Sequence, residues 1–277
     1  EESGKTQPMT MNFKIGNVDT EKIRSIMARE PELFPFLSKK AGIEKNASRL
    51  SVSGFQEIMK KGIAEGRIHF DRDIVLTFET DVPGEMIVNM SRINGESPIE
   101  PFSITRAETE GRRQVFELLA YLRAEVPGYE NIRLLSSGPG VGIRSSRQLL
   151  GTYVLTAEDI LSNRVFPDRI AAFGYPIDIH SADGAETKSV FLKDGTWYTI
   201  PYRCLTNETV SNLLTAGRNI SCTFEAQAST RLSPCCAALG EAAGCACSLA
   251  VRDHVGPADI SISELQQMLL REGAFLG

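Results

Sequence analysis

Apolar residues recur along the chain at two periods, one helical and one strand-like, and the switches between them outline its elements. Met9–Gly16 mixes apolar and polar positions as a strand does. Asp19 or Thr20 then caps a helix carrying Ile23, Ile26 and Met27, which Pro31 stops. The apolar stretch Leu33-Phe34-Pro35-Phe36-Leu37 is expected to form a packed turn. Ser53 with Gln56 fits a capping box for a helix whose stripe is Phe55, Ile58, Met59 and Ile63. Ile74–Glu79 and Glu85–Ile93 read as strands joined by a turn at Asp81-Val82-Pro83-Gly84. Thr105 with Glu108 is a second box, opening the clearest amphipathic helix, with Val115, Leu118, Leu119 and Leu122 on one face. Pro127-Gly128 ends it, and Ile132–Leu135 continues as a strand.

Further along, Leu149–Leu155 is a strand candidate followed by a short helix capped at Thr156. Gly174–His180 and Trp197–Ile200 are strands flanking a polar loop with Asp183-Gly184. Composition shifts near Asn207. Val210–Thr215 reads as a short buried strand running into Ala216-Gly217-Arg218. Ser233 and Pro234 suit the N-cap and first position of a helix that is apolar on most faces, with Gly240 and Gly244 a turn apart. Gly256-Pro257 stops it, and Ser261–Glu272 forms a last amphipathic helix presenting Leu265, Met268 and Leu269. No internal repeat is visible.

With 277 residues, 42% hydrophobic and 23% charged, the chain suits one large domain or two small ones. Its 30 basic and 35 acidic residues leave a net charge of −5, which offers no basic footprint for nucleic acid. No apolar run reaches the ~18 residues of a membrane span. The nearest, Cys235–Val251, contains Glu241 and is rich in Ala, Gly, Cys and Ser, as a buried soluble helix would be. The first residues, Glu1 to Pro8, lack the basic start and apolar stretch of a secretory signal. A cytoplasmic setting is the expectation, with the periplasm left open.

Candidate chemistry is sparse. All six cysteines lie between Cys204 and Cys247, and reduced buried thiols are expected. Cys235 and Cys236 diverge by about 100° on a helix, and Cys245 and Cys247 by about 200°, so neither pair chelates a metal from one face. Gly138-Pro139-Gly140-Val141-Gly142 lacks the spacing and the helix start of a dinucleotide loop, and reads as a glycine-rich turn. No nucleophile elbow, H-E-x-x-H or P-loop occurs. Of the three histidines, His180 follows Asp178 at a strand end, where functional groups often emerge. The strongest local signal joins Asn212–Arg218 to Ser229–Pro234: small residues admit a ligand to the backbone, and a helix N-terminus attracts an electron-rich group. A buried strand and an ordinarily capped helix explain the same residues equally well.

Several segments together resemble one family. They are Thr6-Gln7-Pro8-Met9-Thr10, Asn89–Gly95, Thr105–Arg113, Gly142–Arg147, Gly174–His180, Ile200–Cys204, Leu214–Ser221 and Ser229–Gly244, in order along nearly the whole chain. The family is the bacterial FAD-dependent oxidoreductases with a flavin domain of the glutathione-reductase type. The resemblance implies an α/β (α+β) fold: a mixed-sheet substrate or cap domain over residues 1–206, then the C-terminal strand–helix of the FAD domain and a terminal helix over 207–277. It also implies that this is a C-terminal portion, since the glycine loop that holds the ADP half of FAD in the family is not among these residues.

By the same resemblance, Ala216, Gly217 and Arg218 lie near the FAD pyrophosphate and ribityl chain. Ser229, Thr230, Arg231, Leu232 and Ser233 face the flavin pyrimidine edge. Arg144, His180, Tyr202, Arg203 and Glu225 surround a small organic substrate, with His180, then Tyr202, taking its proton and Arg144 or Arg203 orienting its oxygen. Ser145 stands where family members usually carry an acid, and Phe224 where they often carry a His. The implied activity is hydride transfer between substrate and flavin. The alternative is a non-catalytic module that needs a separate FAD-binding half, or self-association as a homo-oligomer, to bind FAD.

Overall fold

The computed structural model describes residues 6–35, 48–180 and 187–277. Phe36, Leu37, Asp183 and Gly184 lie outside the described residues. The chain divides into two compact units, one containing Pro8–Ile143 and the other containing Gln7 and the chain from Arg144 onward.

The Pro8–Ile143 unit is a five-stranded sheet with helices. In chain order it has β1 (Phe13–Gly16), α1 (Thr20–Arg29), β2 (Ser51–Gly54), α2 (Gln56–Ala64), β3 (Val75–Glu79), β4 (Met86–Val88), α3 (Pro101–Glu125) and β5 (Arg133–Ser137). The strands run β2-β3-β4-β1-β5, and every neighbouring pair is antiparallel. The sheet is therefore not mixed as expected. β3 and β4 are joined by a tight turn in which Gly84 takes φ +74°, and a turn of that length can only return the chain antiparallel.

Asp19 caps α1 by accepting from the Lys22 amide at 2.9 Å. In α3 the expected apolar stripe is fully used: Val115, Leu118 and Leu122 are buried, with Leu119 close behind. Arg113 bridges Glu110 at 2.7 Å and Glu117 at 2.5 Å along the opposite face, the spacing at which helical neighbours meet. Tyr129 closes this core, its hydroxyl 2.7 Å from that of Thr77, and burial drives its phenol well above the usual range.

Neither capping box expected in this unit forms. α3 begins a turn before Thr105, because Pro101 fits the first helical position and Glu100 accepts from the Phe102 amide at 3.0 Å and the Ser103 amide at 2.5 Å. Thr105 is interior and donates back to the Pro101 carbonyl at 3.1 Å. Ser53 belongs to β2, and α2 opens without a side-chain cap from Phe55, held at φ +57°. The Phe55 ring meets Phe34 edge-on with centroids 4.9 Å apart, and both rings are buried. That packing holds a bulky residue in a left-handed conformation it rarely adopts.

The second unit contains α4 (Ala157–Leu161), β6 (Arg169–Phe173), β7 (Ile177–His180), β8 (Thr187–Val190), β9 (Tyr198–Pro201), α5 (Phe224–Thr230), α6 (Ser233–Asp253) and α7 (Ile262–Arg271). β6 pairs with β9 and β7 with β8, both antiparallel. Thr156 forms the expected capping box with Asp159 at the start of α4. Its core joins Ile170, Tyr198 and Ile200 of the strands to Leu239, Ala242 and Ala246 of α6 and Leu265 and Leu269 of α7.

Two expected strands of this unit do not form. Residues 149–155 form no strand, though Leu155 makes a parallel bridge to Cys222. Val210–Thr215 is a turn and coil: Asn207 Oδ1 accepts from the amides of Thr209 and Val210 at 3.0 and 2.7 Å. Val210 and Leu213 are exposed. The side-chain turn at Asn207 captures amides that a sheet ladder would need.

Helix α6 is buried along one face only, through Cys235, Leu239, Ala242, Ala246, Leu249 and Ala250. Ala237, Gly240, Gly244, Cys247 and Val251 are exposed. By length and composition alone this helix could cross a membrane, though a third (33%) of its most apolar window is packed inside the unit. All six cysteines are free; Cys204, Cys222 and Cys235 are buried as expected, Cys236 and Cys245 are half-buried, and Cys247 is exposed. Burial pushes the Cys222 thiol up to about 12.

Candidate functional site

The residues expected to bind a cofactor converge at the start of α6. A short linker, Arg231-Leu232, joins α5 to α6. Leu232 occupies the N-cap, with Ser233 and Pro234 in the first helical positions. Leucine has no side-chain acceptor, so no side chain caps this end of a 21-residue helix. Its leading amides keep the positive end of the helix dipole available to an acceptor.

Arg231 lies beside this terminus. Its side chain is only 13% exposed and meets Asp178 of β7 at 3.5 Å. A further bond, 3.4 Å long, goes to the Asp178 carbonyl. Its Nε is buried and has no hydrogen-bond partner. A guanidinium carries five N–H donors, so this one is under-used. Burial pushes it below the usual arginine range, Arg218 acts in the same direction, and Asp178 and Tyr175 act against both. Arg218 beside the Arg231–Asp178 pair, an uncapped helix end and an idle donor make a locus that attracts negative charge.

Gly217 approaches the same helix with φ +88°, and a Cβ added there would meet only Cys236, at 3.9 Å. The positive φ accounts for glycine at this point. Ser229 and Thr230 are fully buried. Ser229 donates to the Tyr175 carbonyl at 2.7 Å. Because that proton is committed, the Tyr198 hydroxyl is the donor in its 2.7 Å contact with Ser229 Oγ.

The residues expected around a substrate are less concentrated. The carbonyl of Arg144 accepts from Gln227 Nε2 at 2.9 Å. Glu225 is exposed in the first turn of α5. Tyr202 is buried and donates to the Pro257 carbonyl at 2.6 Å, and burial raises its phenol far above neutrality. Arg203 forms a two-point ion pair with Asp168, at 2.9 and 3.2 Å, and stacks over the Tyr153 ring at 5.0 Å. His180 ends β7, where its backbone pairs with Thr187; its side chain is outside the described part. Ser145 Oγ accepts from the Gln7 amide at 3.1 Å. Among the described residues no group of three or more His, Cys, Asp or Glu is placed to hold a metal ion.

Asp178, which pairs with Arg231, and Gln227, which donates to the Arg144 carbonyl, are contacts of the candidate residues that sequence reasoning did not single out. Asp178 carried a signal, its strand-end position two residues before His180. Gln227 carried none, since a buried glutamine in a short helix has no motif of its own.

A family model described as FAD dependent oxidoreductase matches residues 1–269. The chain belongs to this family. No curated protein and no solved structure matches it. Membership makes FAD the cofactor of this oxidoreductase. The residues present fit that group: the idle Arg231 donor and the uncapped α6 terminus suit its electron-rich edge, and Gly217 leaves the backbone open to close approach.

Proposed function

We propose that this FAD-dependent oxidoreductase transfers a hydride between a small organic substrate and flavin. Residues 207–277 supply the C-terminal part of a glutathione-reductase-type flavin domain and residues 1–206 the substrate domain. The observation that carries this reading is the buried Arg231, idle at Nε beside an uncapped helix end. Bound FAD supplies a two-electron acceptor. Arg231 and the amides of Ser233 and Cys235 stabilise negative charge on its pyrimidine edge. Ala216, Gly217 and Arg218 would line the pyrophosphate and ribityl chain, while Ser229 fixes the floor through its bonded, buried hydroxyl and Thr230 lies buried beside it.

On the substrate side, His180 takes the proton as the substrate gives up its hydride. Arg144 orients the substrate oxygen. Tyr202, Arg203 and Glu225 complete the surround, with Tyr202 holding its shape, because its hydroxyl is committed to Pro257. Anaerobic mixing of the FAD-loaded protein with a panel of hydroxy acids, sugars and amines tests the activity. One class is expected to bleach the oxidised flavin bands, and bands that survive every class count against catalysis.

A second reading rests on α6. Its exposed side carries Ala237, Gly240, Gly244 and Val251, and a Cβ added at either glycine meets nothing within 4 Å. A separately made FAD-binding half, or a second copy, would cover this smooth surface. In that case the chain is a module that gains FAD only on association.

A further inference from the structure

Gln7 and Gln227 are both buried, and their side-chain amides form a relay whose orientation is fixed from one end. Gln227 Nε2 donates to the carbonyls of Arg144 and Arg218, at 2.9 and 3.4 Å. Carbonyl oxygens only accept, so the nitrogen of Gln227 must face them and its oxygen must face away. That oxygen is met by Gln7 Nε2 at 3.3 Å, which fixes the second amide in turn. Turning Gln7 over would set two oxygens against each other. The backbone of Gln7 is also held, its amide donating to Ser145 Oγ.

One atom of the relay is left over. Gln7 Oε1 is buried, and no hydrogen-bond partner meets it. A buried acceptor without a donor is costly, so native structures rarely keep one unless something else supplies the proton. Gln227 lies one helical turn before Arg231, whose Nε lacks an acceptor. Gln7, bonded to the Gln227 side chain, thus lacks a donor, and Arg231, one turn along the same helix as Gln227, lacks an acceptor. An imide edge, in which an N–H is flanked by two carbonyls, offers both.

We infer that Gln7 Oε1 accepts a hydrogen bond from the imide N–H of the flavin pyrimidine edge, making Gln7 a cofactor-binding residue and Gln227 the positioning residue that aims it. The assignment rests on the flavin reading above. It gives the Gln7 side chain a role in the site.

Equilibrium titration of the protein, as its gene encodes it, with FAD and with 3-methyl-FAD tests the contact, because the methyl group removes the imide proton. The parent is expected to hold FAD about 3- to 10-fold more tightly than 3-methyl-FAD, the range of one hydrogen bond. Gln7→Met should abolish that preference. Equal affinities in the parent, or a preference that survives Gln7→Met, overturn the contact while leaving the flavin reading intact. A parent that binds neither flavin overturns both. Should Gln7→Met fail to fold, solvent exchange of the imide proton in 15N-labelled FAD on the parent replaces it: slow exchange supports the contact, and exchange at the free-flavin rate overturns it.

Discussion

Replacing Arg231 by lysine is expected to weaken FAD binding by about 10- to 100-fold, the range of one charge-assisted hydrogen bond. Lysine keeps the positive charge opposite Asp178 and so preserves the ion pair that the fold uses. It has no Nε–H in a planar fork, and that is the donor without a partner in the protein alone. The loss should therefore fall on the ligand and not on folding. Fluorescence titration with FAD, run beside a thermal melt of the apoprotein, checks both halves. A large drop in melting temperature with unchanged affinity would mean that Arg231 serves the fold instead.

Leu118→Ala should have the larger effect on stability and almost none on the cofactor. Leu118 is fully buried in the middle of α3, among the apolar residues that pack α3 on the five-stranded sheet. Truncating a leucine in such a core costs about 2–5 kcal/mol, from lost transfer energy and the cavity left behind. Every residue assigned here to flavin belongs to the other unit. Below the transition, the variant should bind FAD as the parent does. Chemical denaturation followed by FAD titration of the folded variant measures the two quantities separately. A parallel loss of affinity would show that the cofactor site depends on the Pro8–Ile143 unit.

The fold was most legible where local chemistry decides it. Asp19, one of two candidates, and Thr156 each cap the helix expected of them, because a short side-chain acceptor before an apolar period satisfies amides that nothing else reaches. The α3 stripe was legible for a similar reason: four leucine and valine positions at helical spacing admit one buried face. The failures came where distant residues decide. Thr105 and Ser53 have the capping pattern, yet Pro101 with Glu100 starts α3 earlier, and the Phe34–Phe55 contact sets the start of α2. Val210–Thr215 has strand composition, but Asn207 folds its start into a turn.

The site was legible in outline. Small residues at 216–217 and a helix start near 233 are local features, and they do converge. The helix has no side-chain cap because Leu232, not Ser233, occupies that place. The unused donor on Arg231 and the Gln7–Gln227 relay were invisible. Each depends on groups brought together from far apart, Arg231 with Asp178 and Gln7 with Gln227, and no spacing rule links such pairs.

The most direct test of a flavin site built on Arg231 and the start of α6 is an absorption spectrum. The protein would be incubated with excess FAD, passed through gel filtration, and scanned across the visible. Flavin bands are expected to travel with the protein and to fade in the Arg231→Lys variant after the same filtration. A colourless folded protein, or flavin retained equally by parent and variant, would contradict it.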